Sequence, residues 1–136
     1  MNERQIALVQ QSFLKVVPIS GTAATLFYDR LFETNPALKP LFKGDLEQQK
    51  LLLMQTLAFV VKGLNQPETI LPAVQSLAIR HKKYGVTPEH FQPVGAALLW
   101  TLEKGLGDAY TPEVHEAWTE AYMMLAGIMV DAMADA

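Results

Sequence analysis

The sequence predicts an all-α domain of about seven uneven helices packed around a pocket. Three observations predict it. Apolar residues recur at helical spacing in nearly every long segment, and no stretch alternates apolar and polar as a half-buried strand does. Two segments, Thr87-Pro88-Glu89 and Thr111-Pro112-Glu113, share one start chemistry. Each offers a threonine cap, a proline at the first helical position and an early acid. The helix lengths are unequal and one segment is very short. That pattern suits helices crossing at steep angles around a pocket better than a bundle of matched helices.

The elements follow in order. The first helix starts at Asn2 as its cap and ends near Pro18. The second carries Leu26, Phe27, Tyr28, Leu31 and Phe32 and stops before Asn35-Pro36, where proline removes an amide donor. A short helical turn holds Leu38, Leu41 and Phe42. The next long helix opens at Asp45, with Gln48 three residues on forming a capping box, and runs to about Asn65. A helix from about Pro67 to Tyr84 follows. The penultimate helix shows Phe91, Val94, Leu98 and Leu102 on one face and ends at Gly105 and Gly107. Gly95 inside it costs about 1 kcal/mol against alanine, which predicts that another helix approaches closely there. The last helix shows Val114, Trp118, Leu125 and Met129 on one face.

The 136 residues suit one domain, residues 1–136, with one core. Half the residues are hydrophobic and 18% are charged, the balance of a folded globular chain. A net charge of −3 argues against nucleic acid as a partner. The absence of cysteine excludes disulfides, thiolate ligation, iron–sulfur clusters and thiol nucleophiles. It is compatible with the cytoplasm, which is the expected location. The polar start Met1-Asn2-Glu3 shows no secretory signal, and the longest apolar stretch, Ala121 to Val130, is far short of the ~20 residues that span a bilayer. No HExxH, P-loop or dinucleotide-binding glycine loop is present.

His81 is the most informative single residue. It shares a helical face with Ile70, Val74 and Leu77, so the imidazole is expected to point at the core. Two readings stand at this point: a core histidine satisfied by a hydrogen bond, or an axial ligand to a buried metal cofactor. Gln49 interrupts the apolar face formed by Leu46, Leu53, Leu57, Val60 and Leu64. It is either exposed near a helix start or a donor to something held in the core. Tyr28 is a core tyrosine or a second donor in the same pocket. Phe42 is plain core or a wedge against a flat ligand. Arg80, Lys82 and Lys83 form a solvated face, from which one cation can pair with an acidic group of a cofactor. His90 and His115 fall in first turns and are expected at the surface. The methionines read as core filler.

Taken together, these positions resemble the globin family, in the branch of bacterial single-domain globins, flavohaemoglobin haem domains and neuroglobin. Leu26-Phe27-Tyr28-Asp29-Arg30-Leu31-Phe32 resembles the segment carrying the distal tyrosine of bacterial members. Asn35-Pro36 followed by Leu41-Phe42 resembles the turn whose phenylalanine packs on haem. Gln49 and Leu53 match the distal glutamine and the apolar residue one turn later. Arg80-His81-Lys82-Lys83-Tyr84-Gly85-Val86 matches the proximal histidine and the corner after it. Phe91-Gln92-Pro93-Val94-Gly95 matches the start of the next helix, and Ala117-Trp118 with Ala121-Tyr122 the last one. The order and spacing of these segments, over essentially the whole chain, carry the likeness.

The resemblance implies a globin fold around haem b, with His81 on the iron and its other ring nitrogen donating to a carbonyl such as that of Leu77. It implies that Phe42, Leu53, Leu77, Val86, Phe91 and Val94 line the haem, and that Tyr28, Gln49 and Leu53 face a diatomic ligand: dioxygen, nitric oxide or carbon monoxide. Flavohaemoglobin-type domains set a tyrosine and a glutamate beside the proximal histidine. Phe91 and Met133 stand at those positions here, which implies a less electron-rich imidazole and weak peroxidase chemistry. Reversible dioxygen binding, for storage, delivery or sensing, is the implied function. The alternative is a nitric oxide dioxygenase, in which dioxygen oxidises nitric oxide to nitrate and an external reductase returns the electron lost by iron.

Overall fold

Asn2 caps the first helix: its side chain accepts from the Gln5 amide at 2.8 Å while the Gln5 side chain accepts from the Asn2 amide at 3.1 Å. Two amides without intrahelical partners are thereby satisfied. The structure, a computed structural model, describes residues 1–42 and 44–135. Among these, the α-helices are α1 (Glu3–Val16), α2 (Ser20–Thr34), α3 (Leu46–Lys62), α4 (Pro67–Lys83), α5 (Phe91–Leu106) and α6 (Pro112–Asp135). Short 3-10 turns join several of them, and the described residues form no strand.

The helix count differs slightly from seven because the short predicted helix over Pro36–Leu41 is a 3-10 turn. Pro36 and Pro40 deny it the amide donors of an α-helix. Asp45 caps α3 where the sequence places its start, but accepts from the Glu47 amide at 2.9 Å and not through a Gln48 box; its short carboxylate reaches the second helical amide. Helix α3 stops at Lys62, short of Asn65. A Cβ on Gly63 would collide with Cγ2 of Ile70, so glycine lets the first turn of α4 fold back tightly at that point.

The most extensive packing joins α4 to α6, α1 to α6 and α2 to α5. Val9, Phe13 and Val16 of α1, Leu31 of α2 and Trp118 of α6 are buried between them. The indole N–H of Trp118 donates to Ser12 Oγ at 2.8 Å, and the Ser12 hydroxyl donates to the Leu8 carbonyl at 2.7 Å. No buried polar side-chain atom among the described residues lacks a partner. Helix α3 packs on α2 and α1, but α3 and α4, though consecutive in sequence, are not among the packed pairs. No helix among the described residues is long and apolar enough to cross a membrane.

Gly95 meets its expectation. A Cβ there would stand 2.5 Å from Cε2 of Tyr122, whose ring lies across α5 while its hydroxyl donates to the Phe91 carbonyl at 2.6 Å. Gly95→Ala gains about 1 kcal/mol of helix propensity but must displace a ring held at its far end, at a cost of about 1–3 kcal/mol. The expected result is a net loss of about 1 kcal/mol in urea denaturation, reversed in sign in a Tyr122→Ala background. A stabilised Gly95→Ala protein would contradict the close approach.

Candidate functional site

Helix α3 is apolar almost all round between Leu51 and Val61, and a helix of that kind needs cover on more than one face. Its inner face is covered: Val60 and Val61 are buried. Its outer face is not. Leu51, Leu52 and Phe59 are exposed, Phe59 to 48%. Across from Phe59 and Val60, an open cavity of about 260 Å³ separates α3 from α4, lined by Gln55, Thr56, Phe59 and Val60 on one side and Ala73, Val74, Leu77 and Arg80 on the other. Walls of this kind, largely apolar with a single cation, suit a flat apolar ligand that carries acidic groups.

Helix α4 presents two adjoining surfaces. Ile70, Val74 and Ala78 are buried, and α4 packs extensively on α6. Leu77 and His81 are half-buried. The histidine expected in the core thus lies at its edge, because the fully buried repeat runs through Val74 and Ala78 and turns His81 to the flank. The Nδ1–H of His81 donates to the Leu77 carbonyl at 2.8 Å. This leaves Nε2 with a lone pair, which is the arrangement of a metal-binding imidazole. The His81 carbonyl accepts from the Val86 amide at 3.1 Å, which fixes the corner after α4 next to the histidine.

A second cluster lies where α2, the Pro36–Leu41 turn and α3 meet. Tyr28 is buried among aromatic rings: Phe27 at 5.0 Å, Phe42 at 5.4 Å and Phe32 at 5.9 Å between centroids. The Tyr28 hydroxyl donates to the Gln49 backbone carbonyl at 3.4 Å, a long and weak bond. Burial pushes the hydroxyl up to about 12, so it stays protonated and a donor at any ordinary pH.

Tyr28, Phe42 and the Gln49 backbone therefore come together, as do Leu77, His81 and Val86. Phe42, Leu53, Leu77, Val86, Phe91 and Val94 are all partly buried hydrophobics packed at the margin of the core, none of them sealed within it. Of these six, Leu77 alone lines the cavity itself. Gln55, Thr56, Phe59 and Ala73 line it too and were not expected. The apolar run from Leu51 to Val61, broken only by Gln55 and Thr56, was the available signal for Phe59. The other histidines have local duties: Nδ1 of His90 accepts from the Thr87 amide, and that of His115 lies 2.6 Å from the Tyr110 hydroxyl.

No group of three or more His, Cys, Asp or Glu side chains among the described residues could hold a metal ion. A ring that brings its own equatorial donors needs only one protein ligand, and the free Nε2 of His81 meets that need.

His81 also sets a pH dependence. Burial lowers its pKa from the ordinary 6.5, the bond to Leu77 partly opposes this, and the nearby Arg80 charge lowers it further. The unfolded chain then binds a proton that the folded protein resists. The contribution of His81 to the stability of the folded chain is expected to be full above about pH 6.5 and to fall as pH drops below it. In His81→Leu this part of the slope should vanish. Urea midpoints at pH 7.5 and 5.5 check it; an unchanged slope in the variant would assign the proton elsewhere.

Comparison with known proteins gives a consistent picture. A family model described as Globin matches residues 25–129. A flavohemoprotein of Rhodopirellula baltica is 35% identical over 134 residues, 96% of this chain and 33% of its own length. One of Vibrio cholerae is 35% identical over 125 residues, 89% of this chain and 32% of its own. The chain thus spans about a third of the length of the curated relatives it matches. Among solved structures, an engineered carbene transferase from Rhodothermus marinus, described provisionally as a nitric oxide dioxygenase, superposes with a TM-score of 0.91 at 25% identity, covering 99% of this chain and 94% of that one. A bacterial globin from Campylobacter jejuni superposes with a TM-score of 0.82 at 24% identity, covering 98% of this chain and 97% of that one, and shows the shared fold.

Proposed function

The chain belongs to the globin family, and from that premise we propose that it binds haem b between α3 and α4 and uses it to hold dioxygen reversibly. The observation that carries this reading is His81: half-buried on the flank of α4, its Nδ1 engaged by Leu77 and its Nε2 left for a metal. When bound, haem supplies an iron with one open position for a diatomic gas. The chain does the rest. His81 holds the iron from the α4 side. Arg80 on the cavity wall meets the acidic groups of the ring. Leu53, Leu77, Val86, Phe91, Val94 and Phe42 cover its faces and exclude water. The Tyr28 hydroxyl and the Gln49 side-chain amide donate to the gas on the opposite side. Phe91 and Met133 offer His81 no acceptor through their side chains, so the imidazole stays neutral, which favours binding over O–O cleavage.

Nitric oxide dioxygenation is the second reading. It is favoured by the provisional description of the Rhodothermus marinus protein and by the flavohemoprotein relatives. In that reading an external reductase with an accessible electron donor restores ferrous iron. Nitric oxide and carbon monoxide are then further ligands, and the cytoplasm is the setting.

Absorption spectra of ferric, ferrous and gas-exposed protein test the proposal. The expected result is a red protein with one haem b per chain and reversible spectral change on admitting and removing dioxygen. A colourless protein that takes up no added haem would overturn it. Sustained nitric oxide consumption at cellular reductant levels would favour the second reading.

A further inference from the structure

We propose that Lys82 is a positioning residue, which aims His81 by clamping the last turn of α4 to the carbonyl end of α6. The Lys82 ammonium donates to the Met133 carbonyl at 2.9 Å. Met133 lies in the last turn of α6 (Pro112–Asp135), where helix carbonyls have no amide partner and carry the negative end of the helix dipole. An ammonium from a neighbouring helix is a strong partner for such a carbonyl. The Met133 side chain is itself buried, so the acceptor sits on a fixed stretch of backbone.

The clamp acts on the histidine through geometry. The His81 ring is hydrogen-bonded to its own helix, at Leu77, so ring and helix move together. The direction of Nε2 is therefore set by the rotation of α4 about its axis. Above His81, α4 packs extensively on α6, and its Ile70, Val74 and Ala78 side chains are buried. Below it the helix ends at Lys83, and Tyr84 and Gly85 turn the chain away. Lys82 ties that last turn to α6, one residue from the imidazole. Whatever moves the end of α6 would then re-aim His81.

The test compares the full chain with Lys82→Met and Lys82→Arg. Three readouts apply: amide exchange of residues 131–135, the nitrogen NMR signals of the His81 imidazole in haem-free protein, and the ferrous iron–histidine stretch in haem-loaded protein. In Lys82→Met the amides should exchange about tenfold faster, about 1.4 kcal/mol. The imidazole signal should shift or broaden, and the stretch should move. Lys82→Arg should restore all three. Faster exchange with unmoved imidazole and stretch would make Lys82 a helix cap and nothing more, and would overturn the proposal. So would no change in any readout. The stretch rests on the haem reading above; the imidazole signal does not. If the unaltered protein takes up no haem, that reading fails and the imidazole signal alone decides the clamp.

Discussion

Purified His81→Ala protein is expected to lose most of its haem, and added imidazole is expected to restore part of the spectrum. The effect should be large because, in the proposed site, one side chain would supply the protein's whole bond to the metal. In the folded chain Nδ1 is already committed to Leu77 at 2.8 Å, so the tautomer and direction of the ring are set. Burial lowers the pKa of His81, which keeps Nε2 unprotonated near neutral pH. Removing even the outer partner of a metal-bound histidine costs about ten- to a hundredfold in affinity, and removing the ligand itself should cost more. Free imidazole can enter the space left by the side chain, because His81 is only half-buried. Haem content per chain and the ferrous spectrum are the measurements. Unchanged content and spectrum in His81→Ala would end the assignment.

The second large effect concerns the Tyr28 cluster. Tyr28→Phe keeps the ring that packs edge-on against Phe42 and Phe27 and removes only the hydroxyl. That hydroxyl now rests on the Gln49 carbonyl at 3.4 Å, a bond weak enough to give up for a better acceptor. With its pKa near 12 it cannot ionise away at physiological pH. Each neutral donor to a gas ligand is worth about 1 kcal/mol, or about fivefold in dissociation rate. Tyr28→Phe and Gln49→Leu should each speed dioxygen loss by at least that factor. The double variant should depart from the product of the two, since neighbours in one network couple by about 0.5–3 kcal/mol. Carbon monoxide, a poorer acceptor, should respond much less. Stopped-flow dissociation rates settle the matter: changes below about twofold, or ~0.4 kcal/mol, in both single variants would show that neither side chain faces the ligand.

These expectations were legible in the sequence wherever the chemistry is local. Asn2 announced α1, Thr111-Pro112 announced α6, and Gly95 announced a close crossing, because a cap or a missing Cβ acts within a few residues of itself. The Leu77 partner of His81 sits one turn away and follows from helix geometry. Contacts across the fold were not legible. Nothing in the spacing of α6 pairs Trp118 with Ser12, Tyr122 with the Phe91 carbonyl, or Lys82 with the Met133 carbonyl. Periodicity tells which face is turned inward and is silent on what it meets. The same limit explains α3. One apolar stripe through Val60 and Leu64 was read as its core face. The outer apolar residues, Leu52 and Phe59 among them, lie off that stripe and are uncovered in the fold.

The separation of α3 from α4 bears on where the fold can give. The most extensive packing, α1 with α6, α2 with α5 and α4 with α6, does not join these two helices. A displacement of α3 along that seam disturbs few shared contacts, so the spacing of α3 and α4 adjusts at less cost than that of the three packed pairs.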